Sequence, residues 1–68
     1  MRYAVVIEKA NGNYSAYVPD LPGCVATGKT RVEVDTHIRE AIRFHLDGLR
    51  EDGLPIPDAE AACDYVDA

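Results

Sequence analysis

Sixty-eight residues make one domain, since independent domains rarely fall below about 50 residues and each needs a core of its own. Seven Lys and Arg against twelve Asp and Glu leave a net charge of −5, which disfavours direct binding to nucleic acid driven by counterion release. The apolar run Tyr3 to Ile7 is too short for a membrane span or a signal-peptide core, so a soluble, cytoplasmic protein without membrane contact is expected.

Residues 2–9 are β-branched and aromatic, with Tyr3, Val5 and Ile7 on one side and Ala4, Val6 and Glu8 on the other, a pattern that predicts a first strand. Asn11-Gly12 favours a tight hairpin turn, and Tyr14 to Val18 predicts the second strand. Pro19-Asp20-Leu21-Pro22-Gly23 reads as a loop, because its prolines donate no amide hydrogen bonds. Cys24 to Thr27 predicts a short third strand that Gly28 ends. Thr30 stands as a helix N-cap with Glu33 as the reciprocal member of a capping box. A helix is expected from Arg31 to about Asp52, with Val34, Ile38, Ala41, Ile42, His45 and Leu49 as its core stripe. Gly53 fits the C′ position, Pro55 and Pro57 stop the helix from resuming, and Ala61 to Val66 could add a fourth strand.

The order β-β-β-α-β predicts an α+β domain, a small antiparallel sheet with one long helix on one face. A single helix covers one sheet face only. The other face would carry apolar or aromatic side chains from the first two strands, a patch most readily buried by a second copy, so a homodimer or homotetramer is expected. A chain this short also keeps a stability margin of only about 3–5 kcal/mol.

No catalytic, metal or cofactor constellation emerges. His37 and His45 lie eight positions apart, about 12 Å along a helix, too far to share a zinc ion. His45 reads as a packed core histidine, whereas His37 falls with Phe44 outside the main stripe, which suggests a contact surface. The helix acids read as solvated, with Asp35–Arg39 and Arg43–Asp47 as surface pairs. Arg39, Arg43 and Arg50 share a narrow stripe, but flanking acids favour pairing within the helix over phosphate binding. Only Asp20, in the proline-rich loop, keeps a functional prior among the acids. Cys24 and Cys63 form no CxxC or metal-ligand pattern, so free thiols are expected, with a Cys24–Cys63 bridge as the alternative. There is neither a GxSxG elbow nor a glycine-rich phosphate loop, and no small-molecule substrate is evident.

The run Tyr14 to Pro57, 44 of the 68 residues, closely resembles the HicB-like antitoxin family. The resemblance rests on Tyr14, then Pro19-Asp20-Leu21-Pro22-Gly23-Cys24, then Gly28-x-Thr30, then Ile38-x-Glu40-Ala41-Ile42-x-x-His45-Leu46, then Glu51-Asp52-Gly53-x-Pro55-Ile56-Pro57. It implies a β-β-β-α-β domain described as a partly degraded RNase H-like fold, acting as the protein antitoxin of a type II toxin–antitoxin pair. It further implies a HicA-like toxin partner, a small basic ribonuclease that cleaves mRNA. The negative charge suits such a partner. The chain departs from the family's pattern at Val34, His37 and Ala59, where Ala, Asn and Pro are frequent. Many members continue into an operator-binding domain, and none is expected after Ala68.

The resulting expectation is a non-catalytic binding module that neutralises its toxin by forming an inhibitory complex. Asp20, Leu21, Pro22 and Gly23 of the loop, with His37, Phe44 and Asp47 on the helix, are the candidate partner-binding or self-association residues. Alanine at Leu21 or Phe44 is expected to weaken association without unfolding the domain. Two alternatives stand beside it: a solitary oligomeric HicB-like domain without a toxin, and residual metal-dependent nuclease activity carried by Glu8 and Asp20.

Overall fold

The computed structural model describes residues 1–68. Three strands, β1 (Val6–Ala10), β2 (Asn13–Tyr17) and β3 (Val25–Gly28), form an antiparallel sheet in the order β1-β2-β3, and α1 (Arg31–Glu51) follows. Asn11 and Gly12 join β1 to β2 with positive φ at both residues, 53° and 73°, as a two-residue hairpin turn with right-handed strand twist requires. The register sets Ile7 opposite Ala16 and Ala16 opposite Ala26.

β1 begins four residues later than expected. The register that pairs Val6 with Tyr17 would set Ala4 opposite Pro19, which has no amide to give, and the chain has by then turned away through the bonds Leu21 N–H to Val18 O and Cys24 N–H to Leu21 O.

Side-chain alternation divides the sheet. Tyr14, Ala16 and Val18, with Tyr3, Val5 and Ile7 and with Cys24 and Ala26, belong to the core side. The buried core is Ala16, Val18, Leu21, Cys24, Val34 and Ile38. α1 packs across β2 and β3. Its packed stripe differs from the expected one: Leu46 joins Val34, Ile38, Ala41 and Ile42 against the core, while His45 and Leu49 sit half-buried at the margin. Gly28 is the point of closest approach between sheet and helix. A Cβ there would lie 2.6 Å from the Val34 amide nitrogen, so only glycine lets β3 run directly beneath the first turn of α1.

Thr30 caps the helix, its hydroxyl accepting from Glu33 N–H at 3.0 Å. Glu33 returns no bond to Thr30, so the expected capping box is only half formed. Asp35 and Arg39 pair at 3.0 Å, but Asp47 pairs with Arg50 at 3.3 Å rather than with Arg43. At the C-terminus, Gly53 N–H donates to Arg50 O and Leu54 N–H to Leu49 O, the Schellman arrangement.

Ala61 to Val66 forms no fourth strand. Side chains rather than a ladder hold the tail: Tyr3 Oη–H donates to Pro57 O at 2.6 Å, and Asp20 Oδ2 accepts from Glu60 and Ala61 N–H at 3.1 and 3.0 Å. The amides of Glu60 and of Ala61, the first residue of the expected strand, are thus drawn to the loop after β2, and the segment beyond is mostly Ala, Cys and Asp, with Tyr65 and Val66 as its strand-favouring residues.

Candidate protein-binding site

The residues proposed for contact separate into three environments. Leu21 is completely buried, so it is a core residue and cannot meet a partner while the domain stays folded. This corrects its assignment to a surface. Two successive tight turns, closed by Leu21 N–H to Val18 O and Cys24 N–H to Leu21 O with a proline in each, carry the chain so that Leu21 drops beneath the sheet. Asp20 is half-buried and its carboxylate clamps the tail. Pro22 and Gly23 remain exposed at the loop's crest.

The second environment is the flank of α1 that faces β3. His37 donates from Nδ1–H to Thr27 O at 2.7 Å; the carbonyl can only accept, so the ring proton sits on Nδ1. About two turns further along Phe44 is 81% exposed, and about three turns along Asp47 is exposed in its pair with Arg50. Between this flank and the Gly23–Val25 segment runs an open groove of about 430 Å³, lined by Gly23, Cys24 and Val25 on one side and by Ala41, Phe44, His45, Gly48, Leu49 and Asp52 on the other. The structure therefore brings Gly23 and Phe44 to one site and leaves Asp20 and Leu21 out of it. Val25 and Gly48 are groove residues that sequence reasoning did not single out, and Leu49, expected in the core stripe, lines the groove. Gly48 carried a signal: four positions after Phe44 it leaves a gap on the same helix face, and a Cβ there would meet nothing within 4 Å.

The third environment is the uncovered sheet face. Val6, Tyr17 and Val25 are cross-strand neighbours in register, and Tyr17 and Val25 are 42% and 64% exposed. The row is apolar and continuous across all three strands. It extends onto β3 a patch expected from the first two strands alone.

Both cysteines are free, Cys24 buried and Cys63 exposed. Burial of Cys24 disfavours its thiolate and pushes its pKa above the ordinary thiol range. Glu8 points to the uncovered face beside Ser15, whereas Asp20 is engaged by the tail. The two do not share a site, and no group of three or more His, Cys, Asp or Glu stands close enough to hold a metal ion. No helix is long and apolar enough to cross a membrane.

The molecule is a small acidic domain with an apolar groove and an apolar sheet face, and comparison with known proteins gives it relatives. The profile of the HicB-like antitoxins of bacterial toxin–antitoxin systems matches residues 3–68. The chain belongs to the HicB-like antitoxin family. The fold agrees: the N-terminal domain of the antitoxin HicB from Burkholderia pseudomallei superposes with a TM-score of 0.68 at 34% identity, over 90% of this chain and 69% of that one. An uncharacterized 14.9 kDa protein in the rep-hol intergenic region of Haemophilus phage HP1 is 39% identical over 66 residues, 97% of this chain. This HicB-like chain spans 50% of the length of that phage relative. A UPF0150 protein of Thermoplasma acidophilum is 43% identical over 58 residues, 84% of each chain. Membership in this family supports an antitoxin role in general terms.

Proposed function

We propose that this HicB-like domain is a non-catalytic, cytoplasmic antitoxin module that neutralises a small basic, HicA-type mRNA-cleaving toxin by forming an inhibitory complex. The observation that carries the reading is the family match over residues 3–68. The exposed Phe44 flank and the net charge of −5 fit it physically, since an aromatic anchor and an opposite field favour association with a basic protein. Inhibition by occlusion requires complementary surface and no reacting group. The test is co-purification of this protein with the product of an adjacent small basic open reading frame, followed by RNA cleavage with the complex and with its separated parts. A tight complex that silences an otherwise active ribonuclease is the expected result, and absence of binding would refute the reading.

The Val6–Tyr17–Val25 row favours a second reading, a self-associating HicB-like module that forms a homodimer or homotetramer through its sheet face. Tyr17→Ser would then shift the species on a sizing column to monomer, while its circular dichroism at low temperature stays that of a folded domain. The row and the Phe44 groove meet at Val25, so a partner in the groove and a second copy on the sheet face would adjoin there.

A further inference from the structure

The wall of the groove formed by β3 is main chain as much as side chain. In an antiparallel ladder a strand's polar groups alternate between its two sides. Val18 N–H donates to Cys24 O at 3.2 Å, and the register continues through Ala16–Ala26 and Tyr14–Gly28, so Ala26 and Gly28 turn their amides and carbonyls toward β2, as Cys24 does its carbonyl, its amide being given to Leu21 O. Val25 and Thr27 turn theirs to the free edge of the sheet. His37 already takes the Thr27 carbonyl. The amide and carbonyl of Val25 face outward at the mouth of the groove, where a residue that is 64% exposed has nothing above it.

We propose that this edge and groove form a strand-addition site for a short, extended, basic segment of a protein partner. Such a segment would pair with the main chain of Val25 and lay alternate side chains against Phe44 and Leu49, in the gap left by Gly48. Charge selects the occupant. Asp52 lines the groove, and Glu40, Asp47 and Glu51 stand at i−4, i+3 and i+7 from Phe44, of which only Asp47 has an ion-pair partner. Arg43, His45 and Arg50 are the basic residues set among them, and Arg50 is the one that pairs with Asp47. The tail of a second copy is the wrong chemistry, because residues 54–68 carry four acids and no Lys or Arg. His37 limits the length of pairing, since its ring closes the edge at Thr27. The partner's identity rests on the antitoxin reading above; the edge, the groove and their charge do not.

The test uses the intact protein and a blocked peptide of alternating Lys and Val, seven residues long, followed by amide chemical shifts. Two control peptides carry N-methyl groups on alternate backbone amides, or Glu in place of Lys. Expected are saturable shifts concentrated at Val25, Thr27, Phe44 and Gly48, loss of binding with either control, and about tenfold weaker binding to Phe44→Ser, which keeps its melting temperature. Equal binding of the N-methylated peptide, shifts centred on the β1 edge or the tail, or no saturable binding would overturn the proposal. An adjacent toxin silenced equally by wild type and Phe44→Ser would overturn it too, while leaving the antitoxin reading intact.

Discussion

Leu21 and Phe44 answer to opposite physics although both are large apolar residues near the same loop and helix. Leu21 has no exposed surface and Phe44 is almost wholly exposed. Truncating a buried leucine removes transfer free energy and leaves a cavity, about 2–5 kcal/mol, which is comparable with the whole margin of a domain this small, about 3–5 kcal/mol. Leu21→Ala is therefore expected to unfold most of the population at 25 °C by circular dichroism, while Phe44→Ala keeps the wild-type melting temperature. The loop sequence did not distinguish these roles, because Pro-Asp-Leu-Pro-Gly reads as an exposed turn and the bonds that fold Leu21 inward are main-chain bonds with no residue signature. Cys24 is a small core residue. Its buried thiol ionises above the ordinary range in the folded state, so the unfolded chain releases this proton first. The contribution of Cys24 is accordingly complete below the ordinary thiol pKa, about 8.5, and is lost as pH rises through the folded value. In a Cys63→Ser background, stability should fall with pH above about 8.5 more steeply than in Cys24→Ala, Cys63→Ser.

At the scale of elements, the hairpin, the third strand and the helix were readable because each carries local chemistry: Asn11-Gly12 for the turn, Thr30 for the cap, Gly53 for the stop. The tail was misread because its hold on the domain is tertiary. Asp20 lies 40 and 41 residues from the amides it binds, a separation that no local pattern records. Asp20 acts as a strap that fixes Glu60 and Ala61 beside the loop. Asp20→Ala is expected to remove hydrogen-exchange protection at those two amides and to cost about 1–2 kcal/mol, with α1 protection falling only by that same amount. Equal protection of the tail in the variant would show that the Tyr3–Pro57 bond alone secures it.

Over the whole molecule, one helix on a three-stranded sheet makes two layers, and the shortest dimension is 15 Å. The radius of gyration is 13.0 Å, larger than the roughly 11 Å of a compact chain of this length, as the extents of 41 × 27 × 15 Å require. Such a shape leaves a high proportion of apolar surface outside, and here it is organised: a row on the free sheet face and a groove beside the free edge. The existence of an uncovered face was legible from counting one helix against one sheet. The groove was not, since it depends on which helix residues rotate away from the core, and His45 and Leu49 moved from stripe to margin once Leu46 took the packed position.

The central claim is that this acidic HicB-like domain binds and silences a basic ribonuclease by occupying its surface. The measurement that tests it most directly is a titration of RNA cleavage by the adjacent small basic protein with increasing amounts of this chain, read against Phe44→Ser. The account predicts that cleavage falls to zero at a fixed stoichiometric ratio, that added salt weakens inhibition, and that Phe44→Ser needs a higher concentration to reach the same effect. Undiminished cleavage in a large excess of the folded wild-type protein would contradict it.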